Sequence, residues 1–96
     1  MNKVNLVIVG TINPNEKEAL SYYVEKVGEL YQEVSAKNVG KYKVSKSLIG
    51  ENTPSLVSVM EFNDMDSLQA VFEGAAYQEL LPYREKAFSK LEAYIS

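Results

Sequence analysis

The sequence predicts an α+β fold with elements in the order β-α-β-β-α-β. Three observations lead there. Two runs, KVNLVIVGT at 3–11 and SLVSVMEF at 55–62, are β-branched and apolar on both of their alternating faces. A long stretch between them repeats its apolar residues at spacings of three and four. The chain then passes through two shorter helical segments into FSKLEAYIS, which alternates again.

Taken in order, KVNLVIVGT reads as a central strand covered on both sides. NPNE follows. Asn13 is placed to cap a helix, Pro14 suits its first turn, and Glu16 stands three residues after the cap at capping-box spacing. The helix is expected to run to about Lys37, with a stripe of Leu20, Tyr23, Val27, Leu30, Tyr31 and Val34. From Gly40, KYKVSKSLIG alternates Tyr42, Val44 and Leu48 with Lys41, Lys43, Ser45 and Ser47, as in a half-exposed edge strand. GENTP is a turn. In the next strand Leu56, Met60 and Phe62 face one way, and Val57, Val59 and Glu61 the other. Asn63 or Asp64 caps a helix carrying Leu68, Val71 and Phe72, which Gly74 ends. A further helical piece is interrupted by Pro82. The last strand places Leu91, Ala93 and Ile95 on one face.

This order is the split βαβ, ferredoxin-like pattern: a four-stranded antiparallel sheet, strands one and three central, helices on one face. The 96 residues are expected to form one domain. Two helices leave the other sheet face bare, although the central strands are apolar there too. A second copy covering that face with its own would make a homodimer.

Composition excludes several functions. There are no cysteines and no histidines, which removes disulfides, thiolate chemistry, zinc held by sulfur or imidazole, iron–sulfur clusters and histidine-based triads. No glycine-rich dinucleotide or phosphate loop occurs, so no cofactor is read from the sequence, and no metal site has positive support. A net charge of −3 argues against nucleic acid. Lys41, Lys43 and Lys46 read as the solvated side of an edge strand. LVIVG is too short for a signal-peptide core or a membrane span, so the chain reads as cytoplasmic and free of membrane.

Two residues stand out against this background. Arg84 is the one arginine, set in GAAYQELLPYREKAF on the face shared by Tyr77, Leu81 and Phe88. Either its stem packs while the guanidinium reaches water or a structural carboxylate, or the planar fork holds the carboxylate or enolate of a small ligand, with tyrosines as hydrogen-bond partners. Glu61 lies on the Val57–Val59 face near the end of a central strand. Buried, its carboxylate would gain a raised pKa and could act as a general base; otherwise it reaches water or pairs with Arg84 or a lysine. Among the seven tyrosines, Tyr23, Tyr42 and Tyr77 join Arg84 and Glu61 as the candidate ligand-binding set. Asn13, Asn15 and Asn38 read as caps and turns.

The second half of the chain resembles the family catalogued as domain of unknown function 1330. The residues carrying the likeness are the strand end Glu61-Phe62, the helix NDMDSLQAVFEG, and the Tyr77-Gln78 pair shortly before Arg84. NPNE is similar to that family's Asp-Pro-Glu with Asn13 for the aspartate, and Gly40 to its glycine before strand two. The resemblance spans nearly the whole chain and is densest over residues 56–88. It implies a dimeric α/β-barrel, with two sheets packed face to face. Wider relatives of the fold include small monooxygenases and isomerases, but the family has no assigned activity, and fold does not carry function. Three functions are therefore expected in competition: a dimer binding a small, acidic molecule between sheet and helices; a cofactor-free isomerase or monooxygenase with Glu61 as base and Arg84 as anion holder; and an interaction module without a pocket.

Overall fold

The computed structural model describes residues 3–96. Its strands are β1 (Val4–Ile12), β2 (Lys37–Lys43), β3 (Leu56–Phe62) and β4 (Phe88–Ile95); its helices are α1 (Lys17–Glu33), α2 (Met65–Phe72), α3 (Ala75–Gln78) and α4 (Leu81–Ala87). The strands form one antiparallel sheet in the order β2-β3-β1-β4, so the two runs apolar on both faces are indeed central. This is the α+β ferredoxin-like architecture. Among the described residues no helix is long and apolar enough to cross a membrane.

Register sorts the side chains. Leu6 pairs with Met60, Val4 with Phe62 and Gly10 with Leu56, and these positions face the helices. Val7 pairs with Val59 and Val9 with Val57 on the bare face. The helix-covered face holds two core clusters. One gathers Ala19, Tyr23 and Val27 of α1 with Tyr77, Leu80, Ala87 and Phe88. The other gathers Leu6, Met60 and Phe62 with Leu68 and Val71 of α2. Leu30, Tyr31 and Phe72 pack against both and tie them together.

Three boundaries differ from the sequence reading. Asn13 does not cap α1. Its Oδ1 accepts from the Asn15 backbone N–H at 3.1 Å, and its carbonyl accepts from Glu16 N–H at 3.1 Å, so NPNE folds on itself and the helix starts at Lys17. The helix stops at Glu33, four residues before the expected end. Ser35 has φ 59°, and the N–H groups of Ser35 and Ala36 donate to the carbonyls of Gln32 and Tyr31 at 3.0 and 2.9 Å. That is a Schellman closure with serine where glycine is usual. The chain is thereby released early, and β2 occupies Lys37–Lys43 rather than KYKVSKSLIG. Asn38 consequently belongs to a strand, not a turn. Residues 44–55 form a loop that leaves Leu48 and Ile49 exposed, so Leu48 shares no strand face with Tyr42.

Other boundaries follow the sequence. Asp64 caps α2, accepting from Ser67 N–H at 2.7 Å. Those donated bonds hold its carboxyl below the ordinary aspartate range. A Cβ on Gly74 would lie 2.9 Å from the Ala70 carbonyl, which accounts for the glycine. Pro82 sits in the first turn of α4, where its missing N–H costs nothing. Phe62 has no exposed surface, and Tyr31 packs edge-on against its ring with centroids 5.8 Å apart. Phe62→Ala is expected to cost about 3–5 kcal/mol, as for other buried phenylalanines, measured by urea denaturation. A loss below about 1 kcal/mol would show that the second cluster does not hold α2 to the sheet.

Candidate functional site

A cleft runs between the helices and the covered sheet face. It has two chambers of about 340 and 330 Å³, whose walls share Ile8, Tyr23, Tyr31, Phe88 and Leu91. Each chamber lies at the lower end of the range for small-molecule sites. The glycine in β1 helps to form them. A Cβ on Gly10 would stand 3.0 Å from the Phe88 ring, so the ring lies directly on the strand backbone.

Arg84, Tyr77 and Tyr23 meet in the first chamber. Leu80 N-caps α4, and one turn on, Arg84 reaches back over α3. Its Nη1 donates to Tyr77 Oη at 3.1 Å, and its guanidinium lies 5.9 Å from the Tyr77 ring centroid. Tyr77 Oη and Tyr23 Oη are 2.9 Å apart. Phe72 holds Tyr77 edge-on at 4.8 Å, and Phe88 holds Tyr23 at 5.9 Å. Arg84 uses one lone pair of Tyr77 Oη, and the second lone pair remains for the Tyr23 hydroxyl, whose raised pKa fits its donating to Tyr77. The rest of the guanidinium fork has no carboxylate partner among the described residues. Partial burial works against its charge, but the hydrogen bond to Tyr77 and the neighbouring Glu85 outweigh this, and its pKa moves upward. Arg84 is thus a permanent cation on an aromatic wall, with N–H groups left for an anion.

Glu61 and Tyr42 do not belong to this cleft. Register puts Glu61 opposite Asn5 and Lys37, on the bare face with Val57 and Val59. Its Oε1 accepts from Lys3 Nζ at 3.2 Å, and its side chain is 29% exposed. It is neither a buried base nor a partner of Arg84, because the sheet separates them. Tyr42, paired with Val57, is on the same bare face and 61% exposed, its ring lying over Gly40. Of the five candidates, the structure brings together three. The alternation of β3 was read correctly; the side occupied by the helices decides what each face means.

Sequence reasoning missed Tyr31, Glu85, Phe88 and Lys41 as cleft residues. Tyr31 lines both chambers, and its hydroxyl has no protein partner among the described side-chain hydrogen bonds. Its place on the same helical stripe as Tyr23 was the available signal. Lys41 pairs with Ser58 on the helix-covered face; it is exposed, as expected for an edge-strand lysine, and also borders the second chamber.

Burial, then the Tyr77 hydrogen bond, pushes the Tyr23 phenol well above its ordinary range; burial does the same to Tyr31. Neither is a base near neutrality. A folded-state pKa above the unfolded value means that the native protein keeps protons the unfolded chain releases above pH about 10. This stabilisation is complete below that pH and is lost as pH rises beyond it. In an absorbance titration, Tyr23 and Tyr31 are expected to ionise only as the circular dichroism of the fold is lost. Reversible ionisation of all seven with native dichroism would contradict the buried network.

Comparisons with known proteins place this geometry. A crystal structure of a protein of unknown function from Rhodopseudomonas palustris superposes with a TM-score of 0.86 at 15% identity, covering 98% of this chain and 80% of that one. The cofactor-independent oxygenase SnoaB from Streptomyces nogalater gives 0.68 at 10% identity, covering 100% and 92%. A dimeric ferredoxin-like protein of unknown function from Bacteroides fragilis gives 0.62 at 9%, covering 98% and 94%. These likenesses bear on fold alone. No curated protein sequence matches the chain. The family described as Domain of unknown function (DUF1330) matches residues 6–95, and with the strand end at Glu61-Phe62 and the Tyr77–Arg84 segment in place, the chain belongs to that family.

Proposed function

We propose that the protein is a homodimer that binds a small acidic molecule in the cleft between sheet and helices. The observation carrying this reading is the Arg84 fork. It is aimed along an aromatic wall, tied to Tyr77, and unpaired with any carboxylate among the described residues. A structural arginine withdrawn from water would be expected to have such a partner, and Arg84 is half-buried without one. The module without a pocket is disfavoured for the same reason, since no Glu61–Arg84 pair fills the space. Aromatic and aliphatic walls beside one cation suit a carboxylate or enolate carried on an apolar body.

A cofactor-free enzyme is the second reading. The fold is shared with SnoaB, described as a cofactor-independent oxygenase. Glu61 cannot be the base in this cleft, but Glu85 borders the first chamber beside Arg84 and is the carboxylate to test in that role.

The dimer reading rests on the bare face. Val7, Val9, Val57 and Val59 form an apolar patch there, with Tyr94 beside Val7, and the Bacteroides fragilis protein of the same fold is described as dimeric. Burying that patch would contribute about 25 cal/mol per Å² of apolar surface before association costs.

Two measurements test these readings. Small aromatic and aliphatic carboxylates are expected to raise the melting temperature of the wild type; at 100-fold over Kd the stabilisation is about 2.7 kcal/mol. Arg84→Lys should fold and lose most of that effect, because a point charge does not replace a bidentate fork. A full response from Arg84→Lys, or none from the wild type with any acid, would remove the anion-holder role. Light scattering at low micromolar concentration is expected to give twice the chain mass, and Val9→Lys to shift it toward the monomer. A monomeric wild type would end the dimer reading.

A further inference from the structure

We propose that the cleft takes an elongated molecule with an acidic group at each end and an apolar middle. This rests on the binding reading above and specifies its ligand class. The two chambers adjoin, because Ile8, Tyr23, Tyr31, Phe88 and Leu91 belong to the walls of both, and the ligand of this proposal passes between them as along one corridor. One end carries Arg84 and Tyr77. The other opens at the edge strand β2, where Lys41, Asn38 and Ser58 line the wall. Between them, Val27, Leu56 and Met60 are apolar.

The far end is polar by construction. The register pairs Lys41 with Ser58 and Asn38 with Met60, so all four share the helix-covered face. Asn38 Nδ2 donates to Ser58 Oγ at 3.0 Å. Lys41 makes no ion pair among the described residues. Asn38 Nδ2 also donates to Met60 Sδ at 3.5 Å, so the donors left for a carboxylate at the mouth of this apolar chamber are the Lys41 ammonium and the Ser58 hydroxyl. The near end does not suit both anions. Glu85 borders it beside Arg84, and a second negative group there would meet a like charge; Lys90 also borders this chamber, but its pairing with Thr11 puts its side chain on the bare face. The corridor therefore separates the two acidic groups: the first on the arginine fork, the second on Lys41.

The sign of the effect discriminates. A distal carboxylate entering an apolar chamber without a partner would weaken binding through desolvation. One that reaches Lys41 strengthens it. The experiment is calorimetric titration of the wild type with linear monocarboxylic acids and the matching α,ω-diacids over a series of chain lengths. At a preferred length the diacid is expected to bind about tenfold more tightly than its monoacid, equivalent to ~1.4 kcal/mol. Lys41→Gln should abolish that gain, so that diacid and monoacid bind alike, and Lys46→Gln, in the exposed loop, should leave both affinities unchanged. Diacids equal to or weaker than monoacids at every length, or a gain that survives Lys41→Gln, overturns the bipolar ligand. If monoacids still bind in an Arg84-dependent way, the simpler anion reading stands. If neither series binds, both fall together.

Discussion

A one-residue slip of β1 against its neighbours would turn Leu6 and Ile8 to the bare face and Val7 and Val9 toward the helices. The rest of the molecule depends on that register. It sets Met60 and Phe62 under α2, and Leu56 and Leu91 under α1. It also divides the polar residues between two environments. Lys41, Asn38 and Ser58 fall on the cleft side, while Glu61, Lys37 and Tyr42 fall on the other. The sheet is a partition as well as a scaffold, and the chemistry available on each side is settled by parity along the strands.

On the cleft side the polar groups are few and locked. Tyr23 and Tyr77 come from α1 and α3, and their contacting hydroxyls satisfy each other where water is scarce. Arg84 completes the chain from α4, so three helices contribute one group each to a single line of hydrogen bonds. Rings of Phe72 and Phe88 restrict both phenols. A cation held in this way has little rotamer freedom left to lose on engaging a further partner.

Much of the fold was legible because it follows from periodicity. Two-sided strands, the Tyr23–Val27–Tyr31 stripe and the Asp64 cap are local signals that the structure retains. The end of α1 was not legible, because Ser35 does in a left-handed conformation what glycine usually does. That closure moved β2 by several residues and made Asn38 part of the sheet. In the site, Arg84 and Tyr77 could be grouped from helical spacing and the isolation of one guanidinium, whereas Tyr23, on another helix, entered only as one of the tyrosines. Glu61 and Tyr42 were grouped with them because their strands were known but the helix-covered side was not assigned to either. Lys41 was read as a solvated edge-strand lysine, and it is exposed; what the sequence did not show is that its side of β2 borders the cleft.

Gly10 gives the cleft floor its shape through what it lacks. In the middle of a central strand, glycine weakens the sheet and offers no side chain to the core. Here that deficit is the seat of the Phe88 ring, which walls both chambers. Sheet stability and cleft shape are therefore traded against each other at a single α-carbon. Remodelling the corridor in a related chain would require no change in any group that touches charge, only in how deeply one aromatic ring is allowed to settle.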